Sequence, residues 1–322
     1  MADSRIRKFD AGEVFSGKKS GTLITGFAAP TPYTPLVDDG FMFGDLARDL
    51  IVWLLGKPEP LYIHGPSGTG KSSCIKQVAA RINLSVYQIT ASERMEVADL
   101  TGHYTLIDGN TVWQDGPLTM AMRGGGVFLL DEVDTANPAV LIALNGVLDG
   151  SGLVIAEHGG EIVQPHPLFR IACTGNSAGN GDGSGYYAGV GQMNLAFMDR
   201  FLVVSASYPD AEAETSLLAR KFPKLPKEVI DGMVRTANAI RKLFMSEERS
   251  QPCEITVTTR SLLRWADLTM RYEALSGMGI SPVAYAADRA FAFRASAPTR
   301  TMIHELMQRI FNGTNTEDDH DR

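Results

Sequence analysis

Apolar residues change their spacing along this chain, and each change predicts a different kind of element. Over residues 1 to about 45 the run GTLITGFAAPTPYTP is rich in Gly, Pro and Thr, which predicts an extended N-terminal arm wrapping a core. Between about 46 and 208, short apolar runs alternate with helical stretches. PLYIH (60–64), GVFLL (126–130) and FRIAC (169–173) are apolar nearly throughout, as expected of strands buried on both faces of a parallel sheet. KSSCIKQVAARI (71–82) instead shows an apolar stripe at helical spacing. Strand–helix alternation of this kind predicts an α/β core with a parallel sheet over 46–208. From Pro209 onward only spacings of three and four remain, in AEAETSLLARKF, KEVIDGMVRTANAIRKLF, TTRSLLRWADLTMRYEAL and TRTMIHELMQRIF. These predict a separate helical domain over 209–312, followed by a polar, frayed tail at 313–322.

Two stretches inside the α/β part have strand-like alternation around a turn. LTGHYTLIDGNTVWQDGP (100–117) is centred on Asp108-Gly109, a strong hairpin dipeptide. SGLVIAEHGGEIVQPHP (151–167) bends at His158-Gly159-Gly160. Either could be an ordinary surface hairpin, since aromatic residues on hairpins commonly pack.

Composition narrows the functional classes. With 322 residues, 44% hydrophobic and 21% charged, the chain is globular and long enough for one large or two ordinary domains. A net charge of −7 disfavours a general nucleic-acid surface, so nucleic acid is not an expected partner. Cys74, Cys173 and Cys253 have neither metal-type spacing nor a disulfide framework, which suits a reducing cytosol and a cytoplasmic protein. Arg5, Arg7 and Lys8 are followed by no apolar region, so no signal peptide is expected. LIVWLL (50–55) is far too short to span a bilayer, and no membrane association is expected. His103, His158 and His166 are too dispersed to read as a metal site.

The chemistry concentrates in two places. GPSGTGKSS (65–73) fits the phosphate-loop pattern G-x-x-x-x-G-K-[ST] between a strand and a helix. Gly65, Pro66, Ser67, Gly68, Thr69 and Gly70 can curl so that successive N–H groups face phosphate oxygens, and the helix adds its positive N-terminal end. Lys71 is placed to reach the β- and γ-phosphates of ATP, and Ser72, followed by Ser73, to ligate Mg²⁺. The second place is Asp131-Glu132, at the tip of the GVFLL strand and hence at the carboxyl edge of the sheet. Asp131 can hold Mg²⁺ through its hard oxygens. Glu132 can orient and deprotonate the attacking water; the alternative is a solvated acid in the first turn of a helix.

These segments, with ADLTGHYTLIDGN, PHPLFRIACTGNSAGNGDGSGYYAG and FMDRF, resemble the AAA+ ATPases, within them the MoxR-type branch, and there most of all the CobS-like ATPase subunits of aerobic cobaltochelatase. The resemblance implies an AAA+ P-loop core with a helix-two insert at 100–117, a hairpin before sensor one at 151–167, and a helical lid. It implies that Asn176 is the sensor-one amide, holding the attacking water or the γ-phosphate, unless it only caps a turn. It implies that Arg200 is an arginine finger reaching a neighbouring subunit's nucleotide, with a salt bridge to a nearby acid such as Asp199 as the alternative. Arg260 matches sensor two at a helix start, capped by Thr258 or Thr259, and could otherwise be a surface ion pair. His103, Tyr104 and Trp113 are the side chains expected to grip a client in the pore of a ring. The implied assembly is a homo-oligomer, a hexameric ring, that remodels or activates a VWA-domain or chelatase-type protein partner; the alternatives are a nucleic-acid-acting motor of the helix-two-insert type and a nucleotide-gated scaffold. Asn137 stands where relatives carry an arginine, which removes a second trans-acting arginine, and Arg170 is not a clean substitute. The seven glycines of 175–191 imply a mobile or tightly turned loop leading to Arg200.

Overall fold

In the computed structural model, which describes residues 5–181, 189–245 and 253–312, the apolar runs of the first two hundred residues become one parallel sheet. The chain divides into two units, Met1–Ser207 and Tyr208–Arg322. The N-terminal segment is not simply extended. β1 (Ile6–Asp10) and β2 (Leu23–Phe27) pair antiparallel around the short helix Ala11–Ser16. Ile24 and Phe27 then pack with Leu50 and Trp53 of the helix Leu46–Leu55, so LIVWLL buries Leu50, Trp53 and Leu54 in the core while Val52 and Leu55 stay exposed.

Among the described residues, nine further strands follow. β3 (Leu61–His64), β4 (Val86–Thr90), β7 (Gly126–Asp131), β10 (Phe169–Gly175) and β11 (Leu202–Ser205) form a five-stranded parallel sheet in the order β11-β3-β10-β7-β4. β5 (Gly102–Ile107) with β6 (Asn110–Asp115), and β8 (Leu153–Ile155) with β9 (Glu161–Val163), are antiparallel hairpins. Asp108 and Gly109 both take positive φ at the first turn, as a tight hairpin of this twist requires. β4 is an edge strand of mixed burial, which hid it from a search for continuous apolar runs.

Strand β7 shows how the core is split. Val127 and Leu129 pack on one face with Ile75 and Val78 of the helix Lys71–Arg81, and Phe128 and Leu130 pack on the other with Leu118 and Met122. All four are fully buried. Register does the rest. Gly175 pairs with His64 and Cys173 with Leu130, so β3, β7 and β10 end level at one edge.

The second unit is helical: Ala211–Lys221, Lys227–Met245, Thr259–Arg271, Pro282–Ala290 and Ala297–Asn312 surround Met233, Ile240, Trp265 and Phe291. The Glu214–Arg241 ion pair, at 2.7 Å, is buried inside it. Arg241 Nε also donates to the Val257 carbonyl (2.7 Å), and Thr259 Oγ1 donates to Glu214 Oε1 (2.8 Å). Among the described residues, no helix is long and apolar enough to cross a membrane. Residues 182–188 of the glycine-rich loop and the whole tail 313–322 lie outside the described residues.

Candidate active site

The loop between β3 and the helix Lys71–Arg81 is shaped by glycine. Gly65, Gly68 and Gly70 take φ of 144°, 76° and 91°, a region that L side chains avoid. A Cβ on Gly65 would also lie 2.1 Å from the Ala206 carbonyl oxygen. Thr69 Oγ1 closes the turn on the Pro66 carbonyl (3.0 Å). Ser67 and Ser73 are exposed at its rim. Lys71 is turned inward and only 9% exposed. Its Nζ donates to the carbonyls of Gly65 (2.7 Å) and Pro66 (3.1 Å) and to Asn176 Oδ1 (3.2 Å). Burial, then the Lys71 charge, lowers the pKa of His64 at the tip of β3. The loop is therefore cationic where it meets the sheet edge.

At the tip of β7 stands a carboxylate that accepts three side-chain hydrogen bonds. Asp131 Oδ1 accepts from Ser72 Oγ (2.6 Å) and from Thr174 Oγ1, and Oδ2 accepts from Gln88 Nε2 (3.0 Å). Glu132 follows with φ 56°, ψ 42°, left-handed and strained for a non-glycine residue by about 1–2 kcal/mol. Its N–H donates to Thr174 Oγ1 (3.2 Å), which helps to hold that conformation. Glu132 is exposed and precedes a 3₁₀ turn, Val133–Thr135, instead of sitting in the first turn of an α-helix. Strain at one acid of a polar cluster is the usual mark of a functional position.

The fold brings Lys71, Ser72, Asp131, Glu132 and Asn176 to a single edge. Thr174 and Gln88 join them and were not legible in the sequence: one lies just before the end of β10 and the other in the middle of β4, and only the register reveals their neighbours. Asp134, buried, accepts the N–H groups of Asn176 (2.6 Å) and Ser177 (3.1 Å). Its signal was a third acid in the run DEVD.

Arg200 is not among the hydrogen-bonded members of this cluster, and Arg260 belongs to the second unit. The helix before Arg200 is the single turn Leu195–Met198. Arg200 pairs with Asp149 through Nε (2.8 Å) and Nη2 (3.2 Å), and not with Asp199; Nη1 donates to the Ala196 carbonyl. Arg260 is exposed on the first turn of Thr259–Arg271 in the second unit, a helix capped by Thr258. Asn137 caps Pro138–Ala143 through the Ala139 N–H (3.0 Å). Arg170 is held at the start of β10 by the Phe169 and Pro167 carbonyls, far along the strand from Asn176. Trp113, expected to grip a client, is instead stacked on His158 (4.8 Å between centroids, 16°) with its Nε1 donating to Asp115 Oδ1 (2.8 Å).

Comparison with known proteins agrees with this geometry. Residues 60–201 match the AAA domain of the dynein-related subfamily, and residues 214–310 match the CbbQ/NirQ/NorQ C-terminal family. Aerobic cobaltochelatase subunit CobS of a Sinorhizobium species is 27% identical over 308 residues, covering 93% of this chain and 89% of that protein. Protein NorQ of Paracoccus denitrificans is 31% identical over 212 residues, covering 66% of this chain and 74% of that one. A RuvB variant of Thermotoga maritima shares the fold, with a TM-score of 0.50, 11% identity, and coverage of 86% of this chain and 73% of that one. A nucleotide-binding phosphate loop on a five-stranded parallel sheet, followed by a helical unit of the CbbQ/NirQ/NorQ type, places the chain among the AAA+ ATPases of the MoxR-type branch.

Proposed function

We propose that this ATPase works as a hexameric ring that spends ATP·Mg²⁺ on remodelling a protein partner of the chelatase or VWA-domain type. The carrying observation is the convergence of Lys71, Asn176, Ser72 and Asp131 within hydrogen-bonding reach at one sheet edge. The residues fit the ligands. Lys71 is inward, cationic and already held on backbone carbonyls that a phosphate could outbid, because charge-assisted hydrogen bonds are roughly twice as strong as neutral ones. Ser72 and Asp131 offer hard oxygens 2.6 Å apart, the donor set that suits Mg²⁺. When bound there, the metal would screen phosphate charge.

In this reading the backbone of Gly65, Pro66, Ser67, Gly68, Thr69 and Gly70 cradles the phosphates, with Lys71, Ser72 and Ser73 at the helix start. Glu132 takes the proton of the attacking water, and Asn176 holds that water or the γ-phosphate. Arg200 serves a neighbouring subunit's nucleotide and Arg260 is the lid arginine. Similarity to a cobaltochelatase subunit supports a protein partner. The acidic net charge of −7 supports the exclusion of nucleic acid.

Nucleotide binding and steady-state ATPase rates on two variants test the chemistry. Lys71→Ala is expected to lose nucleotide binding. Glu132→Gln is expected to keep it and lose turnover, because an amide cannot take the proton. Full turnover in Glu132→Gln sinks its role. ATPase stimulation by DNA at physiological salt, with none by a co-purifying protein, would replace the protein-partner reading with a nucleic-acid motor.

A further inference from the structure

Asp134 is 3% exposed, and only one of its carboxylate oxygens is used by hydrogen bonds. Oδ2 accepts the N–H groups of Asn176 and Ser177, at 2.6 and 3.1 Å. Oδ1 is buried without a hydrogen-bond partner. A half-satisfied buried carboxylate is costly, and an apolar residue would fill the same space without that cost. What the carboxylate does, and an apolar residue could not, is grip two successive peptide N–H groups. A second grip acts on the same segment. Tyr62 Oη donates to the Ser177 carbonyl at 2.5 Å. Burial first, and the Asp134 charge second, push the Tyr62 phenol well above its usual range, so it remains a donor. Between the two grips lies Gly175. A Cβ there would meet Tyr62 Oη at 2.1 Å and Asp134 Cγ at 3.1 Å. The end of β10 is thus clamped from β3 on one side and from the segment after β7 on the other. The Asn176 side chain leaves that clamp to meet Lys71.

We propose that Asp134 is a positioning residue for hydrolysis: it fixes the peptide of Asn176 so that the Asn176 amide is presented beside Lys71. The inference rests on the reading of Asn176 as the amide that holds the attacking water or the γ-phosphate. Asp134 touches no reacting atom and acts through Asn176 alone. Misplacing an oriented group by about 1 Å can cost on the order of a hundredfold in rate.

The test is a double-mutant cycle read by ATPase kinetics and by the affinity for a non-hydrolysable ATP analogue. Asp134→Asn should lower kcat by about ten- to a hundredfold with KM and analogue affinity unchanged. Combined with Asn176→Ala it should be no slower than Asn176→Ala alone, since the group it positions is gone. Tyr62→Phe keeps the buried ring and removes the second grip. It should give a smaller loss with the same split between kcat and KM, equally silent in the Asn176→Ala background, and it carries the test should Asp134→Asn fail to fold. Multiplying losses in the double variants, or analogue affinity falling in step with kcat, would overturn the positioning role while leaving Asn176 in place. A wild-type rate in Asn176→Ala would overturn the reading of Asn176, and the proposal with it.

Discussion

Arg200 is held by an ion pair that costs little to break. Its side chain is 27% exposed and that of Asp149 is 52% exposed, and pairs in such settings contribute about 0.2–1 kcal/mol. A guanidinium kept this way can leave Asp149 for a phosphate without a large penalty. The two partners should therefore respond unequally to mutation. Arg200→Ala is expected to lower kcat by about a thousandfold or more, the scale of an arginine finger, whereas Asp149→Asn should cost less than about tenfold. Mixing Arg200→Ala subunits with Glu132→Gln subunits should restore part of the activity, because interfaces pairing an intact Glu132 with an intact Arg200 can form. Equal losses in the two single variants would make the ion pair, and not the guanidinium, the reason for Arg200. The acid nearest in sequence, Asp199, is not the one the fold supplies. A helix end places residues 51 positions apart side by side, and no local pattern carries that information.

The two hairpins are tied to each other rather than standing free. Arg123, on the helix Pro117–Gly124, bonds Asp115 of β6 (2.8 Å) and both oxygens of Glu161 in β9 (2.6 and 2.7 Å). Glu161 also meets His158 Nδ1 at 2.8 Å, and His158 stacks on Trp113. Alternation around Asp108-Gly109 made the first hairpin legible, but period two reports only which residues share a face. It is silent about what a second hairpin lays against that face, so the aromatic that looked like a grip is part of the joint. Tyr104 packs edge-on against Trp113, while Leu106, 74% exposed, is the most exposed apolar side chain of the two hairpins, with Ile107, Val112, Val154 and Ile162 also exposed. Trp113→Ala is expected to lower thermal stability, and Leu106→Ser to leave stability and basal ATPase near wild type while removing stimulation by a partner. Glu161 gives a second check. Its hydrogen bond with Arg123, before that with His158, holds its pKa down from 4.5 to about 2. The folded value is depressed, so the tie is fully present above about 4.5 and is lost as the pH falls through about 2. The carboxyl chemical shift of Glu161 should titrate near the lower value. A midpoint near 4.5 would mean that the joint does not form in solution.

At the scale of the whole molecule, the α/β unit was largely readable because its central strands are buried on both faces and its phosphate loop has fixed spacing. The edge strand β4 and the nine-residue helix Pro282–Ala290 were not, one for its mixed burial and the other for its shortness. The buried centre of the helical unit was hidden for another reason: Glu214 and Arg241 are 27 residues apart and look like solvent-facing charges. Removing one member of a buried pair strands the other, typically at about 3–5 kcal/mol. Glu214→Gln or Arg241→Met should shift urea unfolding of the helical unit by that order, and Glu214→Leu with Arg241→Met together by much less. Unchanged midpoints in the single variants would show that the pair adds nothing. The close approach of Gly65 to Ala206 has a mechanical consequence of its own. Ala206 N–H donates to the His64 carbonyl at 2.7 Å, and its own carbonyl lies where a Gly65 side chain would be. Ser207 ends the first unit one residue later. The phosphate loop thus bears backbone to backbone on Ala206, next to the last residue of the first unit. A displacement of a few tenths of an ångström at Gly65 reaches Ala206 with no side chain in between to absorb it.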